Sequence, residues 1–135
     1  MLHAPSQGAD RLTNLNLYLT SMEPILECDA SLIWMGDFNF PDIEWCVNEL
    51  VPTLCASAAS SVFIDFVSRH ALLQFVKCPT RGENIPDLVL CNDAFAVSEL
   101  RVEAPFSSSD HNSVVFKFFL CNYKSFRFVR TEAQF

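Results

Sequence analysis

Apolar residues recur at Leu12, Leu15, Leu19, Met22 and Leu26, in steps of three and four. That spacing stacks them on one face of a helix. The pattern therefore predicts a helix from Asp10, capped by Asp10 or Thr13, with Pro24 disturbing or ending its last turn. A second stripe, Phe63, Phe66 and Val67, predicts a helix within residues 57–70, capped by Ser60 or Ser61. His70 falls at its C-terminal end, where a cation or a cap is favourable. Between the two helices, Leu32-Ile33-Trp34-Met35 is a short apolar run that breaks at Gly36, the mark of a buried strand. Further strands are predicted over 72–76, 87–91, 97–103 and the Phe-rich 113–120. Residues 40–52 read as irregular, with Trp45 covering the edge of the first strand, and 78–86 as a loop holding Pro79, Gly82 and Pro86. Strands interleaved with helices, several joined by loops alone, predict a mixed α/β (α+β) class. The strands are expected in one mainly antiparallel layer with both helices on one face.

Three polar knots interrupt this pattern, each at a strand end. The first is Gly36-Asp37-Phe38-Asn39, the second is Asn84-Ile85-Pro86-Asp87, and the third runs from Ser107 through Asp110, His111 and Asn112. Glycine lets the backbone turn, and in an extended segment Asp37 and Asn39 point to the same side. Each knot alone is equally an Asx-rich turn, a solvated strand end or a plain loop. Together they offer two Asp, an Asn and an Asp-His pair at the places where a scaffold presents chemistry. Imidazole, carboxylates and an amide make a hydrolytic or metal-assisted kit.

Composition narrows the picture. The 135 residues suit one domain, half of them are hydrophobic, and 13 Phe supply a core. A net charge of -7 argues against a broadly basic nucleic-acid surface, yet leaves room for a local acidic metal site facing a phosphodiester. The six cysteines are scattered without a CxxC pair, and the first residues lack the basic start and apolar centre of a secretory signal. These features predict mostly buried free thiols in an intracellular protein, nuclear or cytoplasmic and not secreted. No apolar run has the length of a membrane span.

The knots and their flanks, GDFNFPDIEW, LLQFVKCPTRGENIPDLVLCND and VEAPFSSSDHNSVVF, resemble the endonuclease/exonuclease/phosphatase superfamily, the DNase I-like fold. Within it they are most similar to the endonuclease domain of LINE-type non-LTR retrotransposon polyproteins. The resemblance covers almost the whole chain. It implies an incomplete DNase I-like two-layer β-sandwich flanked by helices, mainly its second half. It also implies residues 1–122 as the C-terminal portion of that domain and 123–135 as the start of a linker toward a reverse transcriptase. By the same resemblance, Asp37 positions or deprotonates the attacking water and Asn39 contacts the scissile phosphate. His111 stabilises charge on the phosphoryl oxygens, Asp87 orients that imidazole, and Asp110 sits at or near Mg²⁺, with Mn²⁺ as an alternative. Thr80 and Ser109 line the phosphate site or cap turns, and Arg81 touches a backbone phosphate or is solvated. The partner implied is DNA, and no membrane is involved.

The departures bear on activity. Intact relatives carry an earlier half with an Asn, a Glu metal ligand and a Tyr, where this chain opens Met1-Leu2-His3-Ala4-Pro5. The expectation is a fragment of a metal-dependent endonuclease whose full-length ancestor nicks DNA, and which alone does so poorly or not at all. The alternative is a non-catalytic remnant or interaction module. Either way, an exposed apolar sheet face including Phe116 and Phe118 is expected, with self-association through it.

Overall fold

The computed structural model describes residues 7–27, 30–46, 51–54, 57–119 and 125–132. In chain order the elements are α1 (Gln7–Leu26), β1 (Ala30–Asp37), β2 (Glu44–Cys46), β3 (Val51–Leu54), α2 (Ala58–Arg69), β4 (Leu73–Gln74), β5 (Asp87–Cys91), β6 (Val97–Glu103), β7 (Ser113–Phe118) and β8 (Ser125–Glu132). The four-stranded central sheet has the order β4-β5-β1-β8. Strand β1 runs antiparallel to β5 and parallel to β8. The fold is α+β, consistent with a partial DNase I-like domain.

Alternation along β1 divides the core in two. Leu32 and Trp34 face the helices and pack with Leu15, Leu19, Phe63, Phe66 and Leu90. Ile33 faces the opposite way and packs with Val89, Cys91, Phe75 and Val97, with Met35, Val102 and Phe116 partly buried against them. The five expected strands thus do not form one layer. Strands β6 and β7 pair only with each other among the described residues, and this hairpin lies across the second face. Its inward positions supply the apolar cover that β1 and β5, buried on both sides, require.

Other local differences have identifiable causes. Helix α1 starts at Gln7, ahead of the expected Asp10, and Pro24 is accommodated inside its last turn. Ser57 caps α2 in place of Ser60 or Ser61, because its extended backbone leaves the hydroxyl free to accept from Ser60 N at 3.1 Å. His70 closes the same helix, and its Nε2 lies 3.0 Å from Glu23 Oε2 of α1. The strand expected over 72–76 shortens to two residues, since the Gln74 carboxamide takes the Val76 N–H at 2.5 Å. In and just beyond the stretch read as irregular, β2 and β3 pair antiparallel, and Trp45 packs against the helix-side core. Among the described cysteines Cys91 is buried, Cys46 half-buried and Cys78 exposed, all unpaired. Cys78 is thus an exception to the expected burial, as it lies in the exposed loop before Thr80. No helix of the described residues is long and apolar enough to cross a membrane.

Gly36 does not turn the chain, as it sits inside β1. Its φ of +140° and the approach of β8 explain the residue, because a Cβ there would land on the Thr131 carbonyl. Residues 125–132, placed by the resemblance at the start of a linker, form β8 along the full length of β1. Thr131 fixes it from the helix side: it is 4% exposed, accepts from Trp34 Nε1 at 3.0 Å and bonds the Tyr18 hydroxyl.

Candidate active site

Two of the three polar knots sit at strand ends because the register of β1 and β5 carries Asp37 directly opposite Asp87. The third knot leads into β7, and its loop is tied back by Asn112 N donating to Thr80 O at 2.6 Å. That tie brings His111 to the same end of the sheet. Its Nδ1 lies 2.7 Å from Asp87 Oδ2, and its Nε2 lies 4.0 Å from Asp37 Oδ2. One cleft is lined by Gly36, Asp37, Asp87, Ser109, His111, Arg130, Thr131 and Glu132.

Asp87 is the hinge of this arrangement. The same Oδ2 that meets His111 also accepts from Thr80 Oγ1 at 2.6 Å. Thr80 is 0% exposed, so its hydroxyl serves Asp87 from behind and does not line the cleft as the resemblance implied. Ser109 does line the cleft, and its Oγ accepts the His111 backbone N–H at 3.1 Å. The imidazole is therefore held at both its ring and its main chain.

The electrostatics follow from this geometry. The hydrogen bond to Asp87 raises the His111 pKa above its ordinary 6.5, burial acts against it, and Asp87, Asp37 and Asp110 add attraction. Burial, then the neighbouring Asp87, raises the Asp37 pKa, partly offset by His111 and the Asn39 N–H. Carboxylates directly opposite on paired strands repel. Here three stand in a row, since β8 sets Glu132 beside Asp37 on the other side. Asp37 Oδ1 is buried and accepts no hydrogen bond. A buried carboxylate oxygen without a donor, in a row of acids, suits a hard cation. Asp37, Asp87 and His111 offer ligand atoms within 4.8 Å of one another.

Asp110 and Asn39 stand apart from that group. Asp110 is 68% exposed, ion-paired to Arg81 at 3.1 Å, and reaches His111 Nε2 only at 3.8 Å. Asn39 lies beyond the end of β1 with φ +52°, so strand alternation does not carry it to the side of Asp37. Its backbone oxygen accepts from Arg11, and the residue is exposed outside the cleft lining. Sequence reasoning missed Arg130 and Glu132. The alternation of Phe126-Arg127-Phe128-Val129-Arg130 signals a strand, but nothing local tells which partner it takes.

A search among protein families decides what this site belongs to: residues 2–115 match the family described as endonuclease-reverse transcriptase. The chain belongs to that family. Its domain is of the endonuclease/exonuclease/phosphatase type found in retrotransposon polyproteins. The family match spans Asp37, Asp87 and His111 and ends within β7, so β8 lies outside it. Neither the curated proteins nor the solved structures compared with the chain gave a match.

Proposed function

We propose that this domain is a metal-dependent endonuclease that nicks DNA by hydrolysing a phosphodiester bond. The observation that carries the reading is the His111 ring, clamped by Asp87 at 2.7 Å with its other nitrogen turned toward Asp37. With Nδ1 committed to Asp87, Nε2 presents the proton that a developing phosphoryl oxygen charge requires. Asp87 fixes the tautomer and favours the charged ring. Asp37, whose Oδ2 lies 4.0 Å from His111 Nε2, is placed to accept a proton from an attacking water. Mg²⁺ or Mn²⁺ would be held by Asp37, with Asp110 at the exposed rim, and when bound it neutralises charge on the phosphate. Asn39 keeps a phosphate contact in this reading, reached from the exposed turn after β1. DNA inside the cell, nuclear or cytoplasmic, is the partner that suits this chemistry.

Slow turnover is expected, because Asp87, Asp37 and Glu132 oppose an anionic substrate until a cation offsets them. The same row of acids favours a second reading, a non-catalytic binding module. Plasmid nicking in Mg²⁺ and in Mn²⁺ separates the two. The endonuclease reading predicts metal-dependent nicking that falls by ~10²–10³ in His111→Ala. Nicking absent with both ions leaves the binding module, and nicking unchanged in the variant removes His111 from the role given to it here.

A further inference from the structure

Strand β8 adds to the cleft a cation that the family match does not reach. Its register with β1 pairs Met35 with Arg130 and Asp37 with Glu132. Alternation therefore puts Phe128, Arg130 and Glu132 on the face that carries Ile33, Met35 and Asp37. Val129 and Thr131 turn the other way and anchor the strand in the helix-side core. Arg130 is the sole Arg or Lys among the described residues lining the cleft, which it shares with three carboxylates and His111. It also borders the neighbouring hollow lined by Met35, Val89, Asn112, Val114 and Phe116. Its ion pair with Glu132, at 3.4 Å with both side chains more than two-thirds exposed, is weak and open to exchange. Arg81, the other nearby cation, is engaged by Asp110.

We propose that Arg130 is a substrate-binding residue that grips the phosphate next to the scissile one, so that β8 directs the DNA strand away from His111 along the open sheet face. This rests on the endonuclease reading. Like-facing side chains on a strand stand ~6.6 Å apart. Arg130 is thus one step back from the row at Asp37, and Phe128, 53% exposed, is one step further. A guanidinium suits this position because its planar fork matches two phosphate oxygens and never deprotonates. It also compensates locally for the acids that a DNA backbone meets at the cleft.

The test is fluorescence anisotropy of the whole chain with a labelled phosphorothioate DNA duplex in Mg²⁺, across a salt series. Arg130→Gln, Arg130→Lys and a control, Arg101→Gln on β6, are compared with the unaltered protein. Arg130→Gln is expected to raise Kd about tenfold. It should also flatten the slope of log affinity against log salt by about 0.9 for the lost phosphate contact. Arg130→Lys should keep the slope while weakening affinity, and Arg101→Gln should change neither. Arg130→Gln behaving like Arg101→Gln overturns the proposal, even where the unaltered protein binds and nicks. An unaltered protein that neither binds nor nicks overturns the endonuclease reading, and this proposal with it.

Discussion

On the helix side of the central sheet, Trp34, Phe38, Phe63 and Phe66 are at most 1% exposed. They meet one another with ring centroids 5.0 to 6.1 Å apart. On the hairpin side, Phe118, Phe119 and Phe128 keep 44%, 71% and 53% of their surface open. The first side is packed like a protein interior, and its rings gain from edge-to-face contact as well as burial. The second is covered over β5 and part of β1 and leaves the outer half of the sheet bare. Asp37, Asp87 and His111 stand where the covered and bare parts meet, at the end of β1, β5 and β8. Stability is thus concentrated on one side of the sheet, while the other side leaves the cleft open to solvent.

The contrast can be broken most forcefully at Phe63. Truncation to Ala removes a fully buried ring that touches Trp34, Phe38 and Phe40, and should cost about 3–5 kcal/mol. Phe118→Ser, on the open side, should stay within about 0.5 kcal/mol. Urea unfolding of both variants measures the difference, and equal losses would mean that the two sides contribute alike. A smaller effect sharpens the helix side alone. Ser57→Ala removes the cap of α2 and should cost about 1 kcal/mol. The loss propagates to Asp42, which accepts from Ser57 N at 2.9 Å and from Ser60 Oγ at 2.6 Å. A double variant with Asp42→Ala should therefore fall short of the sum of the single losses.

Which parts of this arrangement were legible in the sequence follows from the range of the interactions involved. The stripes of α1 and α2 and the apolar run of β1 are local, and periodicity exposes them. The grouping of Asp37, Asp87 and His111 was legible through the ordered motifs, since each marks a strand end. Position within the sheet was not. Whether β6 and β7 join β1 or fold over it depends on contacts between distant residues, and so does the parallel pairing of β8. Asn39 illustrates a finer limit. Its spacing from Asp37 suggests one face, but the chain leaves the strand at Phe38, and the left-handed backbone at Asn39 redirects it. For Thr80 the PTR loop leaves open whether the hydroxyl lines the site or serves a turn, because burial, which directs it to Asp87, has no signature there. A glycine at the end of an apolar run suggests a turn, while the reason for Gly36 is the close approach of a strand 95 positions away at Thr131.

Titrating the His111 ring by NMR shows directly whether Asp87, 2.7 Å from its Nδ1, favours the protonated imidazole beside Asp37. In the folded protein its pKa is raised, so the pair stabilises the fold at low pH and loses that contribution as pH rises through the folded midpoint. The expected midpoint lies above the ordinary 6.5 and falls in Asp87→Asn, where the partner carboxylate is gone. A midpoint at or below 6.5 that Asp87→Asn leaves in place would contradict this role of Asp87.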